Sequence, residues 1–333
     1  MKNILHISDI HLSNETGKGC ESILLEKNIS SMIDDIKGLE IEIDTVIITG
    51  DITYSSKKEE YDLAKTIIID KIKIEFELQN NNFYIIPGNH DTSRNNLSFL
   101  EKTFRGKSNK AEIEKLSDEI NKNNENWKRI ENYNAFFEET FETEEFETYG
   151  KLFNIRNSGD LEIISLNSAW LSQDKEDNGK LRISSILKQA IESCNPKKKK
   201  ILLAHHPIDW LDNDEKTEVS TIIEKNISAF LYGHMHQFQQ TITLSFSEDI
   251  TLKLQAATID YSNENCGYSI IKLEKSNSFD NGDVIYRKYI NPNYSEWGTT
   301  NNPDGKYKFS IDENTIFDTN KFSMKSKEIK DRE

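Results

Sequence analysis

Six of the chain's seven histidines fall in four short motifs, and each motif closes an apolar run that reads as a buried strand. They are Asp9-Ile10-His11 after ILHIS, Gly88-Asn89-His90-Asp91 after FYIIP, Ala204-His205-His206-Pro207 after KILL, and Gly233-His234-Met235-His236 after SAFLY. A fifth motif, Gly50-Asp51 after TVIIT, adds a carboxylate. Imidazoles and hard oxygens are the donors that hold catalytic divalent cations. A chain that ends strand after strand on such donors must fold so that the strand ends converge.

The first third shows how. Strands are expected at Asn3–Ser8, Thr45–Thr49 and Phe83–Ile86, with amphipathic helices near Glu21–Lys37 and Lys57–Gln79 between them. Strand–helix alternation signals βαβ units and a covered sheet. In such sheets, ligands gather at the carboxyl ends of the strands, where Asp9, His11, Asp51, Asn89 and His90 all fall. The core resumes with strands near Leu152–Arg156 and Leu161–Asn167, a helix around Ile183–Ser193, a strand Lys200–Ala204, a helix near Lys216–Lys225 and a strand Ser228–Tyr232. Beyond Gln237 the pattern is almost wholly β, which predicts an antiparallel group forming or completing a second sheet.

Residues 1–320 are expected to form one domain, with a β-rich part at about 237–290 and a flexible tail at 321–333. The stretch from Thr92 to Tyr149 is rich in Glu, Lys and Asn, with interspersed aromatics. It reads as two or three helices inserted after the third strand. One reading is a solvated excursion whose aromatics pack on the main body. The other is a cap that overhangs the site and restricts substrates, with Arg94 and Arg105 near the phosphate and Trp127, Tyr133 and Phe136 available to stack on a base.

With 333 residues there is length for one large α/β domain carrying such an insertion. A formal charge of −15 argues against holding nucleic acid through a basic surface. It does not exclude a nucleic-acid substrate, because ions at the site supply local positive charge. Cys20, Cys194 and Cys266 show no metal or disulfide spacing, and a reducing cytoplasm is the expectation. The N-terminus lacks a signal-peptide pattern, and no run approaches the roughly 18 apolar residues of a membrane span.

Asp9 and His11 lie two apart at the end of an extended segment, so both can reach one ion. His234 and His236 repeat the spacing. Glycines at 50, 88 and 233 are expected to let the backbone turn before the donors that follow them. Two carboxylates, an amide and several imidazoles are too many for one structural tetrahedral ion. Two ions about 3.5–4 Å apart fit better and suit hydrolysis at phosphorus. Manganese, iron, zinc, cobalt and nickel are all compatible, with manganese favoured for activity.

In order and strand context, the series SDIHL, TGDIT, PGNHD, AHHP and YGHMH resembles the calcineurin-like metallophosphoesterase superfamily. The resemblance covers Met1 to His236 apart from the insertion, and the C-terminal strands more loosely. It implies an α/β fold of two mixed sheets packed face to face with helices outside, in four layers. It also implies that Asp9, His11 and His236 hold one ion, that Asn89, His205 and His234 hold the other, and that Asp51 bridges them. His90 would then sit near the scissile phosphate, stabilising charge or protonating the leaving oxygen while a metal-bridging hydroxide attacks. Asn89, His206 and Arg94 are candidate substrate contacts, although His206 has an equal claim to be a packing residue. Asp91 is a candidate for orienting an imidazole, and His6 reads as a core histidine.

The protein Ser/Thr phosphatases of this superfamily extend the second motif as GDxxDRG. Here the stretch is Gly50-Asp51-Ile52-Thr53-Tyr54, which lacks both the second aspartate and the arginine. The form is closer to that of bacterial phosphodiesterases acting on cyclic nucleotides or other small diesters. The leading expectation is therefore a phosphodiesterase acting on a nucleotide-type diester. A metal-dependent DNA or RNA nuclease is the alternative within the enzymes. A catalytically silent binding or regulatory subunit that retains the fold is the alternative outside them. No membrane partner is expected, and the sequence names no protein partner.

Overall fold

The computed structural model describes residues 1–93, 110–123, 128–141, 146, 148–174, 176–244, 250–298 and 302–310. In chain order, β1 (Asn3–Ile7) leads to a short ribbon of β2 (Leu12–Ser13) and β3 (Cys20–Glu21), then α1 (Ser22–Gly38) and β4 (Thr45–Ile48). Helix α2 (Lys58–Ala64) continues through a π-helical stretch, Lys65–Asp70, into α3 (Lys71–Glu75) and then β5 (Phe83–Ile85). One uninterrupted helix was expected there; the wider turn lets three consecutive residues, Ile67, Ile68 and Ile69, all be buried.

The insertion contributes α4 (Lys110–Asn123) and α5 (Glu131–Thr140). After it come β6 (Thr148–Tyr149), β7 (Phe153–Ser158), β8 (Leu161–Leu166), α6 (Ser184–Ser193), β9 (Lys199–Leu203), α7 (Asn213–Asn226) and β10 (Ala229–Tyr232). The chain then runs through β11 (Gln239–Leu244), β12 (Ile250–Gln255), β13 (Gly267–Leu273), β14 (Asn281–Ile290), β15 (Asn293–Glu296) and β16 (Lys306–Ser310).

Two seven-stranded mixed sheets result. The first runs β15-β14-β13-β1-β4-β5, with β16 also on β14; the second runs β11-β12-β10-β9-β8-β7-β6. The parallel strands β1, β4, β9 and β10 carry apolar residues on both faces because both faces are covered. One set, including Ile4, Ile47, Ile163, Ile201, Leu231 and Ile271, meets between the sheets. The alternating set, including Leu5, Val46, Ile164, Leu202 and Phe230, packs outward under helices. Helix α1 buries Leu25, Ile29, Met32, Ile33 and Ile36 along one stripe, the spacing of a helix laid on a sheet. No described helix is long and apolar enough to cross a membrane.

The C-terminal strands complete the second sheet only in part: β12 joins β10 in parallel and β11 follows it, while β13 pairs with β1 and draws β14 to β16 into the first sheet. Of the aromatics named for stacking, Tyr133 and Phe136 pack on the main body instead, in line with the first reading of the insertion. Tyr133, Phe136, Phe137 and Phe141 are buried, and the Tyr133 hydroxyl donates to the Ile85 carbonyl at 3.0 Å. Arg129 is fully buried and donates to the backbone carbonyls of Trp170 and Ser172. Arg94, Arg105, Trp127 and the tail at 321–333 lie outside the described residues.

Candidate metal centre

The central parallel strands end at one edge of the two sheets, and the five motifs follow those ends. Asp51 Oδ2 lies 3.1 Å from His11 Nε2 and 3.3 Å from His205 Nε2. On the first side, Asp9 Oδ1 lies 3.9 Å from His11 Nε2 and 3.2 Å from His236 Nε2. On the second side, His205 Nε2 faces Asn89 Oδ1 at 3.2 Å and His234 Nδ1 at 3.1 Å. The structure thus gathers all seven expected donors into two sets that meet at Asp51. Among the described residues, every His, Cys, Asp or Glu grouping compact enough to share an ion comes from these motifs. One of those groupings also includes His90, and another includes His206.

Backbone geometry aims the donors. Asp9, His11, Asp51, His234 and His236 all have φ between 52° and 72°. That left-handed region is unfavourable for non-glycine residues and clusters at functional sites. The expected picture of donors alternating along extended chain is therefore replaced by tight loops in which the donors themselves take the strained conformation. Gly50, at φ 96°, does turn the chain. Gly88 and Gly233 act through space instead: a Cβ at Gly88 would collide with Asp51, and one at Gly233 with Ser8 and Asp9. That clearance lets the His90 N–H donate to Asp51 Oδ1 at 2.7 Å and the His234 N–H donate to Asp9 Oδ2 at 2.9 Å. Each carboxylate is held by its outer oxygen and presents the other to the cluster.

The imidazoles are held in the same way. His205 Nδ1–H donates to the Thr49 carbonyl at 2.7 Å, which turns Nε2 toward the cluster. His236 Nδ1 lies 3.3 Å from the Asn263 amide. The Trp210 ring stands edge-on to His234, centroids 3.9 Å apart, and its Nε1–H donates to the Met235 sulfur at 3.2 Å. His90 is half-buried at the mouth, with Nδ1–H donating to the Tyr54 carbonyl at 2.7 Å and its ring 4.7 Å from that of His11.

Asp9 Oδ1 is fully buried and, although 3.2 Å from His236 Nε2, it lacks an aligned hydrogen bond. An ionised oxygen left so is costly unless a cation meets it. Burial opposes ionisation of Asp9, but the adjoining His236 and the His205 charge outweigh it and hold the carboxyl down at about 2. Burial likewise opposes protonation of His205, yet Asp51 overrides it and pushes the imidazole up to about 9. Protons on imidazoles thus balance the carboxylates in the ion-free chain, and a divalent cation would displace them. The donor set fits two such ions.

His206 is buried; Nδ1 lies 3.0 Å from the Ser168 hydroxyl and Nε2 has no hydrogen-bond partner. Burial, then the neighbouring His234 and His205, drive its pKa well below the ordinary value. It is buried rather than facing solvent, with its ring 4.5 Å from that of His234. His6 meets Thr49 Oγ1 at 3.0 Å inside the core, and burial lowers it to about 3, as expected of a core histidine.

Asp91 does not orient an imidazole. It accepts from the Ile52, Thr53 and Gly88 N–H groups, each at 3.0 Å, and from the Thr53 and Tyr61 hydroxyls at 3.0 Å. It ties the loop bearing Asp51 to the loop bearing Asn89. Asp91→Ala leaves three buried N–H groups without an acceptor, so at roughly 1–3 kcal/mol each it should lower stability by at least about 3 kcal/mol. Denaturant unfolding reads the change, and a variant as stable as the parent would show the clamp to be redundant.

A fold of two packed mixed sheets with imidazole and carboxylate donors at one edge defines a metal-dependent phosphoesterase type of protein. The chain belongs to the calcineurin-like phosphoesterase family, whose model matches residues 2–238. An uncharacterised metallophosphoesterase-like protein of Bacillus subtilis, YydB, is 24% identical over 323 residues, which are 92% of this chain and 64% of that one. The probable glycerophosphodiester phosphodiesterase GpdQ of Arcobacter nitrofigilis is 33% identical over 92 residues, which are 28% of this chain and 31% of that one. The chain therefore spans less than two-thirds of the length of these curated relatives. Among solved structures, a dimetal phosphatase from Danio rerio superposes with a TM-score of 0.47 at 10% identity, covering 93% of this chain and 99% of the other.

Proposed function

We propose that the chain is a dinuclear-metal-dependent phosphodiesterase acting on a nucleotide-type diester. In this reading Asp9, His11 and His236 hold one ion, Asn89, His205 and His234 hold the other, and Asp51 is shared. The observation that carries it is Asp51 Oδ2, within 3.3 Å of an imidazole nitrogen from each set. Bound there, two divalent ions would neutralise phosphate oxygens and lower the pKa of water. The chain's own part is to hold the reacting group among fixed donors. His90, with Nδ1 engaged by Tyr54, keeps Nε2 for a phosphoryl or leaving-group oxygen.

A diester rather than a phosphoprotein is favoured because a backbone carbonyl, not an aspartate, meets His90 Nδ1. The stretch of similarity to a probable glycerophosphodiester phosphodiesterase points the same way. All three cysteines are free and buried, in keeping with a reducing cytoplasm.

The test is metal analysis of the purified protein together with a Mn²⁺-supplemented panel. The panel contains a cyclic nucleotide, a dinucleotide, single- and double-stranded DNA and RNA, and a monoester. Hydrolysis of small diesters by protein carrying about two ions per chain supports the proposal. Preference for long DNA with a steep salt dependence would make it a nuclease. Absence of both ions and turnover would make it a silent fold.

A further inference from the structure

A second cleft opens beside the second donor set. It is open to solvent, has a volume of about 430 Å³ and is walled by Pro207, Ile208, Trp210 and Met235. This volume lies within the roughly 300–1,000 Å³ typical of small-molecule pockets. Its floor is the outward face of three paired strands. The register sets two rows there: Tyr232, Gln255 and Gln239 nearer the site, and Phe230, Lys253 and Thr241 one step further along the strands. Tyr232 immediately precedes Gly233-His234, so the first row begins beside the metal donors.

The two ends of this cleft differ in chemistry. At the site end, Trp210 lies against His234 on one side and lines the cleft on the other, with Met235 beside it and 44% exposed. An indole and a thioether make a flat, polarisable wall of the kind that accepts a ring. On the floor, the Gln255 amide nitrogen donates to the Gln237 carbonyl at 2.8 Å, which leaves its side-chain oxygen as an acceptor. Gln239 is exposed, and Lys253 is half-buried with no hydrogen bond or ion pair among the described residues. Amides, one ammonium and the Tyr232 and Thr241 hydroxyls on the floor, with the exposed Asp209 carboxylate on the wall, make a cleft about as polar as it is apolar, which suits a ring with a nitrogen and oxygen edge. A bare polyol would leave the indole and thioether uncovered.

We infer that this cleft is the subsite for one nucleoside of the diester, its base along Trp210 and Met235 and its polar edge toward Gln239, Gln255 and Lys253. The inference rests on the phosphodiesterase reading and adds a substrate class and its recognition residues. A cleft of this volume suits a single nucleoside.

The experiment compares a nucleotide diester with methyl p-nitrophenyl phosphate, a diester without a nucleoside. Adenosine binding to EDTA-treated protein is measured alongside by calorimetry. The Gln239→Ala/Lys253→Ala double variant should lower the ratio of kcat/KM for the nucleotide diester over the methyl ester by about tenfold or more. It should weaken adenosine by a similar factor. Thr241→Trp, which fills the cleft from an exposed strand position, should do the same with an unchanged melting temperature. An active parent whose ratio and adenosine affinity survive both changes overturns the subsite and leaves the phosphodiesterase reading intact. A parent that hydrolyses no diester, yet loses adenosine in both variants, supports the subsite and overturns the hydrolase reading.

Discussion

Asp51→Asn is expected to reduce turnover by about 10³-fold, equivalent to roughly 4 kcal/mol of barrier, and to leave the protein with fewer than two bound ions. The expectation follows from the position of one oxygen. Asp51 Oδ2 is the atom common to both donor sets, while Oδ1 is held by the His90 N–H. An amide placed there keeps the shape and removes the negative charge. It also risks presenting an N–H to the ions in place of an oxygen. Both sets weaken together, so the loss should exceed that of any single imidazole. Metal content and kcat/KM on a small diester are the two measurements. Activity within about tenfold of the parent, a 1.4 kcal/mol change, would mean that Asp51 is not shared.

His90→Ala is expected to lose about 10²–10⁴-fold in turnover, the range of general acid catalysis, while keeping both ions. The ring sits at the mouth with one nitrogen committed to the Tyr54 carbonyl, which leaves the other for substrate. The loss should shrink when the leaving group is nitrophenolate, which departs without a proton. His90 also falls within one compact grouping with His11 and Asp51. Loss of metal from the variant would therefore make it a ligand and remove it from the leaving-group role.

The positions of these residues were legible because each motif is local and follows an apolar strand. In covered parallel sheets, ligands gather at the carboxyl ends of the strands, which is where each motif falls. What stayed hidden is mostly backbone. The carbonyls of Thr49 and Tyr54 that set the His205 and His90 tautomers carry no side-chain signature. Trp210 and Asn263 reach the site from segments without a motif, and only proximity in the fold reveals them. Strands β15 and β16 are short and polar, and their pairing with β14 is settled by neighbours distant in sequence. The burial of Arg129 was equally unreadable, since a charged residue in a polar insertion gives no hint that two core carbonyls await it.

The left-handed donors also bear on how such a sequence drifts. At Asp9, His11, Asp51, His234 and His236 the backbone conformation costs a non-glycine residue about 1–2 kcal/mol, and glycine escapes that cost. At His236, whose side chain holds no backbone N–H, replacement by glycine should therefore strengthen the fold in the same stroke that removes a donor. In EDTA, His236→Gly should melt above the parent and His236→Ala should not, although both forfeit an ion ligand. Asp9 and Asp51 differ, because each also accepts a backbone N–H, from His234 and His90, which glycine there would leave unpaired. Drift at position 236 is therefore biased toward glycine unless a bound ion offsets the strain.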